Sequence, residues 1–182
     1  FGDEISPQFD EQVRVLRRLG VRGLELRGLD GTNIADLAPA MAESYAERLR
    51  QNGLFVSALG SPIGKIGVED PFEPHLAAFR NLLDLSEIFD TPRIRIFSFY
   101  IPRGDDPARH RDEVLRRMEA LFEAAAGYEV LLCHENERFI YGESPDRCLD
   151  LLETFGGALR AVFDPANFVQ AGYRPYPDPW LR

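Results

Sequence analysis

The sequence predicts an α/β fold in which a parallel sheet is wound as a TIM (β/α)8 barrel, with about six βα units present. Three observations predict it. Short apolar strands alternate with amphipathic helices along the chain, which requires parallel strands joined by helical crossovers. Polar residues close nearly every strand: Asp3, Glu4, Glu25, Ser61, Ser98, Glu135 and Asp164 fall at or just past C-terminal strand ends, where barrel enzymes build their sites. The turn after the opening segment is Ser6-Pro7-Gln8, which lacks the glycine-rich phosphate fingerprint of an open doubly wound sheet.

The elements follow in order. FGDEIS is read as an opening strand. SPQFDEQVRVLRRLG is read as a helix with Ser6 as cap, Pro7 in its first turn, Phe9, Val13 and Leu16 on one face and Gly20 as its stop. In VRGLELRG, Leu24 and Leu26 alternate with Glu25 and Arg27, so a short strand runs into a Gly-Leu-Asp-Gly turn. A helix over about 37–51 ends at Asn52-Gly53, and LFVSALG is the next strand, leading into SPIGK. Helices over about 74–89 and 107–126 precede the strands RIRIFSF and VLLCHENE. SPDRCLDLLETFGG combines a Ser144 cap, Pro145 at the first helical position and a Gly156 stop, and LRAVFD closes the count as a sixth strand ending on Asp164.

A full barrel takes roughly 250 residues and eight strands. The chain has 182, so residues 1–182 are expected to form a single, incomplete barrel domain lacking strands seven and eight. The tail GYRPYPDPWLR is expected to lead into a seventh strand, with the natural chain continuing past Arg182.

Composition narrows the function. Hydrophobic residues make up 45% and charged residues 28%, as in ordinary globular proteins. A net charge of −9 without a basic stripe disfavours nucleic acid as a partner. No apolar run approaches the roughly 18 residues a membrane span needs, so no membrane partner is expected. Two cysteines, Cys133 in a strand and Cys148 in a helix, suggest buried thiols in a reducing, cytoplasmic setting.

The stretch LLCHENERFIYGE carries the chemistry. An apolar strand ends on Glu135, and the next strand ends on Asp164. One acid at a strand end is as readily a solvated cap as a ligand. Two on consecutive strands favour a shared cation, because adjacent carboxylates repel unless a proton or metal offsets them. Oxygen donors suit Mg²⁺ or Mn²⁺, and a nearby imidazole would shift the preference toward Mn²⁺, Zn²⁺ or Co²⁺. Alternation turns His134 away from Glu135, so it is expected to be structural, and His75 and His110 are expected at the surface or as caps. Lys65 and Arg27 are candidate substrate contacts, able to stabilise developing negative charge or to clamp a polar ligand. Ser61 and Glu137 join them as candidate substrate-binding residues, and Phe97, Phe99 and Tyr100 are read as pocket wall or core.

Together, GDEIS, ELRG, GSPIGK, RIFSF, HENERFIYGE and FDPANFVQAG resemble the xylose-isomerase-like barrel superfamily of sugar phosphate isomerases and epimerases, across essentially the whole chain. The resemblance implies one divalent metal held by glutamates after strands five and eight, an aspartate after strand six and a histidine after strand seven. Glu135 and Asp164 match the first two positions, and the chain stops before the others. It implies a metal-dependent sugar or sugar phosphate isomerase or epimerase working through an enediolate-like intermediate, with Glu135 as acid–base and a small carbohydrate as substrate. A dehydratase of the same barrel, such as an inosose or dehydroshikimate dehydratase, and a non-catalytic sugar-binding barrel are the alternatives, and a homo-oligomer is compatible with each. The apurinic endonuclease branch carries a histidine three residues after the strand-six aspartate. Here that residue is Asn167, expected to bind a sugar hydroxyl or to orient Asp164.

Overall fold

In a computed structural model that describes residues 1–177, five strands form a parallel sheet: β1 (Gly23–Leu26), β4 (Phe55–Leu59), β5 (Arg93–Ile96), β6 (Leu131–Glu135) and β7 (Leu159–Val162). Their spatial order is their chain order. A doubly wound sheet reverses its strand order at a switch point, so this unbroken progression is the barrel pattern. The helices between them are α1 (Phe9–Arg18), α2 (Pro39–Gln51), α3 (Glu73–Ile88), α4 (Arg111–Ala125) and α5 (Pro145–Phe155), and a short α6 (Pro165–Gln170) follows β7. Among the described residues no helix is long and apolar enough to cross a membrane.

By contact density the chain divides into two compact units. The first comprises Phe1–Ser61, Ala77–Ile94 and Gly127–Val130. Within it α1 buries Phe9, Val13 and Leu16, the positions the sequence puts on one face, and the Phe9 ring packs edge-on against Tyr45 of α2 at 4.9 Å. Each such fully buried side chain contributes roughly 1.5–3 kcal/mol. Asp30 anchors the same corner. Its carboxylate accepts hydrogen bonds from the Phe9 backbone N–H at 2.8 Å and from the Tyr45 hydroxyl at 2.7 Å.

Three expectations fail in this unit. FGDEIS is not a strand: Gly2–Glu4 is a 3₁₀ turn closed by the Ile5 N–H donating to the Gly2 carbonyl, and a segment with one apolar side chain has little to bury in a sheet. α1 starts at Phe9 with Gln8 as its N-cap, because the Ser6 hydroxyl is drawn to the Gln8 side chain and backbone instead of to the helix. The turn at Asp30-Gly31 is flanked by two short strands, β2 (Gly28–Leu29) and β3 (Thr32–Asn33), paired as a hairpin. Both turn residues have positive φ, which Asp-Gly accommodates.

The second unit comprises 62–76, 95–126 and 131 onward. Its core gathers Phe97, Phe99, Val114, Met118, Leu121, Leu132 and Leu151. β6 and β7 pair in parallel with Glu135 opposite Val162. α5 begins as predicted, the Ser144 side chain accepting from the Arg147 N–H at 3.2 Å, and ends at Gly156 with φ +54. β7 ends two residues earlier than expected, at Val162, and Asp164 caps α6 instead of closing the strand, its carboxylate accepting from the Asn167 N–H at 3.0 Å. The last residues of the tail expected to lead into a seventh strand, 178–182, lie outside the described residues.

Candidate functional site

β6 and the loop after it split by alternation. His134 and Asn136 face one side, Glu135 and Glu137 the other. The His134 side is structural. The ring is fully buried with Nε2 2.9 Å from the Ser98 hydroxyl, whose oxygen also accepts the Gly142 N–H at 2.7 Å. A Cβ at Gly142 would come within 2.4 Å of the imidazole, so only glycine lets this backbone close on the histidine. Burial pushes the ring down to about 4, which keeps it neutral at physiological pH. On this side a cavity of about 310 Å³ lies among His134, Cys148, Leu152, Ala161 and Phe168. It is apolar, and burial raises the Cys148 thiol to about 12, so the thiol is inert. Cys133 and Cys148 are both unbridged, as expected.

The Glu135 side holds the charges. Glu135 is 8% exposed and lies 3.0 Å from the guanidinium of Arg95, itself 7% exposed, on β5. Glu137 accepts from the Lys65 ammonium at 2.9 Å through one oxygen and from the Arg138 N–H through the other. Lys65 and Arg95 both lie over the Phe97 ring, at 4.3 and 5.1 Å from its centroid. Two cation–carboxylate pairs thus share one aromatic floor, and Phe97 is the wall residue the sequence proposed. The buried pair is conditional: removing one partner of such a pair costs about 3–5 kcal/mol by stranding the other charge.

Lys65 reaches this position through a loop held from both sides. Gly64 has φ +89, and a Cβ there would lie 2.0 Å from the Phe97 carbonyl oxygen. Its N–H donates to His75 Nε2 at 2.7 Å, so His75 is neither a surface nor a capping residue but the acceptor that pins the loop. Burial, and Arg117 nearby, hold the His75 ring below its ordinary range, which keeps that acceptor unprotonated. His110 does stay near the surface, paired with Asp105 at 3.0 Å just before α4.

Asn136 ties β6 to the segment carrying Asp164. Its amide donates to the Asp164 carbonyl and accepts the Asp164 N–H, both at 2.8 Å, while its own carbonyl takes the Asn167 side chain at 2.9 Å. Asn167 therefore contacts Asp164 through its backbone N–H, and its amide serves Asn136. In the first unit, Arg27 is engaged by Asp3 at 2.8 Å and Glu4 at 3.4 Å and stacks on Phe1, and Ser61 is fully buried. Sequence reasoning missed Arg95 and Asn136. Arg95 left a faint signal, a cation in the middle of the apolar strand RIRIF; Asn136 left none, since its partners are 28 and 31 residues away.

The model of the family described as xylose isomerase-like TIM barrel matches residues 13–181. The chain belongs to that family. No functionally curated protein matches it significantly. Among solved structures, this family member is similar to the probable 3-DHS dehydratase AsbF of Bacillus anthracis, with a TM-score of 0.75 at 21% identity over 92% of this chain and 61% of that one. A xylose isomerase-like TIM barrel protein of Mycobacterium smegmatis in complex with magnesium gives a TM-score of 0.69 at 22% identity, over 87% and 56%. The 3-keto-D-glucoside 4-epimerase YcjR of E. coli gives 0.68 at 14%, over 87% and 64%. This chain thus spans about three fifths of the proteins it resembles, and the likeness establishes a partial barrel of a superfamily that includes epimerases, isomerases and dehydratases.

Proposed function

We propose that the protein is a divalent-metal-dependent isomerase or epimerase of a small carbohydrate, moving a proton on a carbon next to a carbonyl through an enediolate-like intermediate. The observation that supports this most is a buried carboxylate at a strand tip, Glu135, held against Arg95 beside a second acid–base pair, Lys65 with Glu137. Glu135 is the group that takes the proton and returns it, and Arg95 fixes where the carboxylate points. Lys65 stabilises negative charge as it develops on the substrate oxygen, because a positioned ammonium needs no rearrangement at the moment of reaction. Glu137 holds Lys65 in place.

Glu135 and Asp164 are oxygen donors of the kind magnesium or manganese takes, and Asp164 has one carboxylate oxygen beyond the one that caps α6. They fit such an ion in kind and form part of its shell, since the described residues contain no group of three candidate ligands. When bound, a divalent cation supplies Lewis-acid polarisation of substrate oxygens. A dehydratase is the second reading, favoured by Lys65, since expelling a hydroxyl requires a proton donor at hand.

The test is incubation of the protein with a panel of ketoses and aldoses in heavy water containing magnesium or manganese, followed by NMR. Deuterium is expected on the carbon beside the carbonyl, and the exchange is expected to vanish in Glu135→Gln. Elemental analysis is expected to find a divalent ion that Asp164→Asn loses. Loss of water with a new enone absorbance selects the dehydratase, and a chain that exchanges no carbon-bound proton in any of these compounds defeats the proposal.

A further inference from the structure

We infer that the site takes an uncharged, polyhydroxylated sugar and discriminates against its phosphate esters; this rests on the isomerase reading above. The reason is charge balance in the second unit. The two cations over Phe97 are each already matched: Lys65 Nζ lies 2.9 Å from a Glu137 oxygen, and Arg95 lies 3.0 Å from a Glu135 oxygen. Asp164 adds a third carboxylate and, by capping α6, occupies the backbone donor at that helix start which an incoming anion would otherwise use. The five groups together carry one net negative charge. A divalent ion on Glu135 and Asp164 would reverse this to a single positive charge, enough to offset the one charge of an enediolate.

A phosphate monoester brings about −1.5 to −2 charges at neutral pH and three strong acceptor oxygens. To hold it the protein must supply cations not already committed, usually arginine forks or a lysine aimed at the phosphate. Here, capturing the phosphate would mean pulling Lys65 from Glu137 or Arg95 from Glu135. The second exchange strands a carboxylate that is 8% exposed. Sugar hydroxyls ask for less. They donate to the carboxylates and accept from the ammonium and guanidinium, so the pairs stay intact while the ligand is bound. Phe97 beneath both cations offers an apolar face on which C–H groups of a sugar ring can lie.

The experiment measures binding and exchange separately on the full 182-residue chain with magnesium present. A ketohexose, the matching aldohexose and the phosphate monoesters of both are titrated by ligand-observed NMR, and deuterium exchange is followed in the same tubes. The free sugars are expected to bind at least about tenfold more tightly than their phosphates, a difference of about 1.4 kcal/mol. In Glu137→Gln, which releases Lys65 from its carboxylate, the preference is expected to shrink severalfold toward the phosphates. Phosphate esters that bind as tightly as, or more tightly than, the free sugars in the unaltered protein overturn the inference, and if they also exchange deuterium the isomerase reading survives it. Selective binding of free sugars without any exchange upholds the inference and removes the isomerase. Binding of neither class removes both.

Discussion

Asp30 and the pair Glu135 and Glu137 are carboxylates in loops or at strand ends, yet they are used in opposite ways. Asp30 is held by donors of the scaffold: the Phe9 N–H at the start of α1 and the Tyr45 hydroxyl on α2. These two hydrogen bonds, the backbone one first, hold its carboxyl below the ordinary range. Glu135 and Glu137 are held by the charged tips of Arg95 and Lys65. The first arrangement fixes where a helix begins. The second gathers mobile protons and compensating charge over one ring, which a fold does not need for its own stability. The lesson is that the partner of a carboxylate, more than its position at a strand end, separates a fastening from a reactive group.

The sharpest way to break this contrast is Arg95→Met. It leaves Glu135 buried without its cation and is expected to cost about 3–5 kcal/mol in urea denaturation. Adding Glu135→Gln is expected to regain most of that loss. If the double variant is as unstable as the single one, packing of the arginine on Phe97 is what matters, and the pair is a fastening after all.

A second measurement sharpens the contrast between the two faces of β6. The fold accepts only the neutral His134 ring, held near 4 against an ordinary 6.5. Because the folded value is depressed, the unfolded chain takes up the proton first. Stability from this residue is therefore fully present above pH 6.5 and drains away as the pH falls toward 4, by about 3 kcal/mol in all. A His134→Asn variant, which cannot take the proton, is expected to show a shallower fall in unfolding free energy over that window. An equal slope in both proteins would place the acid sensitivity elsewhere.

The smallest effect is expected at the fastening itself. Asp30→Ala loses two hydrogen bonds at an exposed turn and is expected to lower stability by about 1 kcal/mol. Sugar binding is expected to stay unchanged. A loss of binding matching that of Glu135→Gln would erase the distinction.

The sheet was legible in the sequence because the strands it needed were periodic: Leu24 with Leu26, and the apolar run ending at Glu135, are local patterns that tertiary contacts only had to confirm. Ser144, Pro145 and Gly156 bounded α5 for the same reason, since caps and stops act within one turn. What failed depended on competition or distance. FGDEIS had polar strand-end residues but little to bury, and Ser6 found a nearer partner than the helix. At the site, Glu135, Glu137, Lys65 and Phe97 were legible as chemistry-bearing residues at strand ends. Arg95, His75 and Asn136 were not, because each acts through a partner many residues away that no local spacing encodes.

The left-handed Gly64 has a practical consequence for anyone wishing to retune what the protein accepts. Its missing side chain is the clearance against the Phe97 carbonyl, so a saturation library across 62–65 is in effect a library of three positions, with every change at the fourth lost to misfolding before selectivity can be scored. Diversity at Lys65 is best sought by altering the residues it leans on, Glu137 and Phe97, while the backbone beneath it is left untouched.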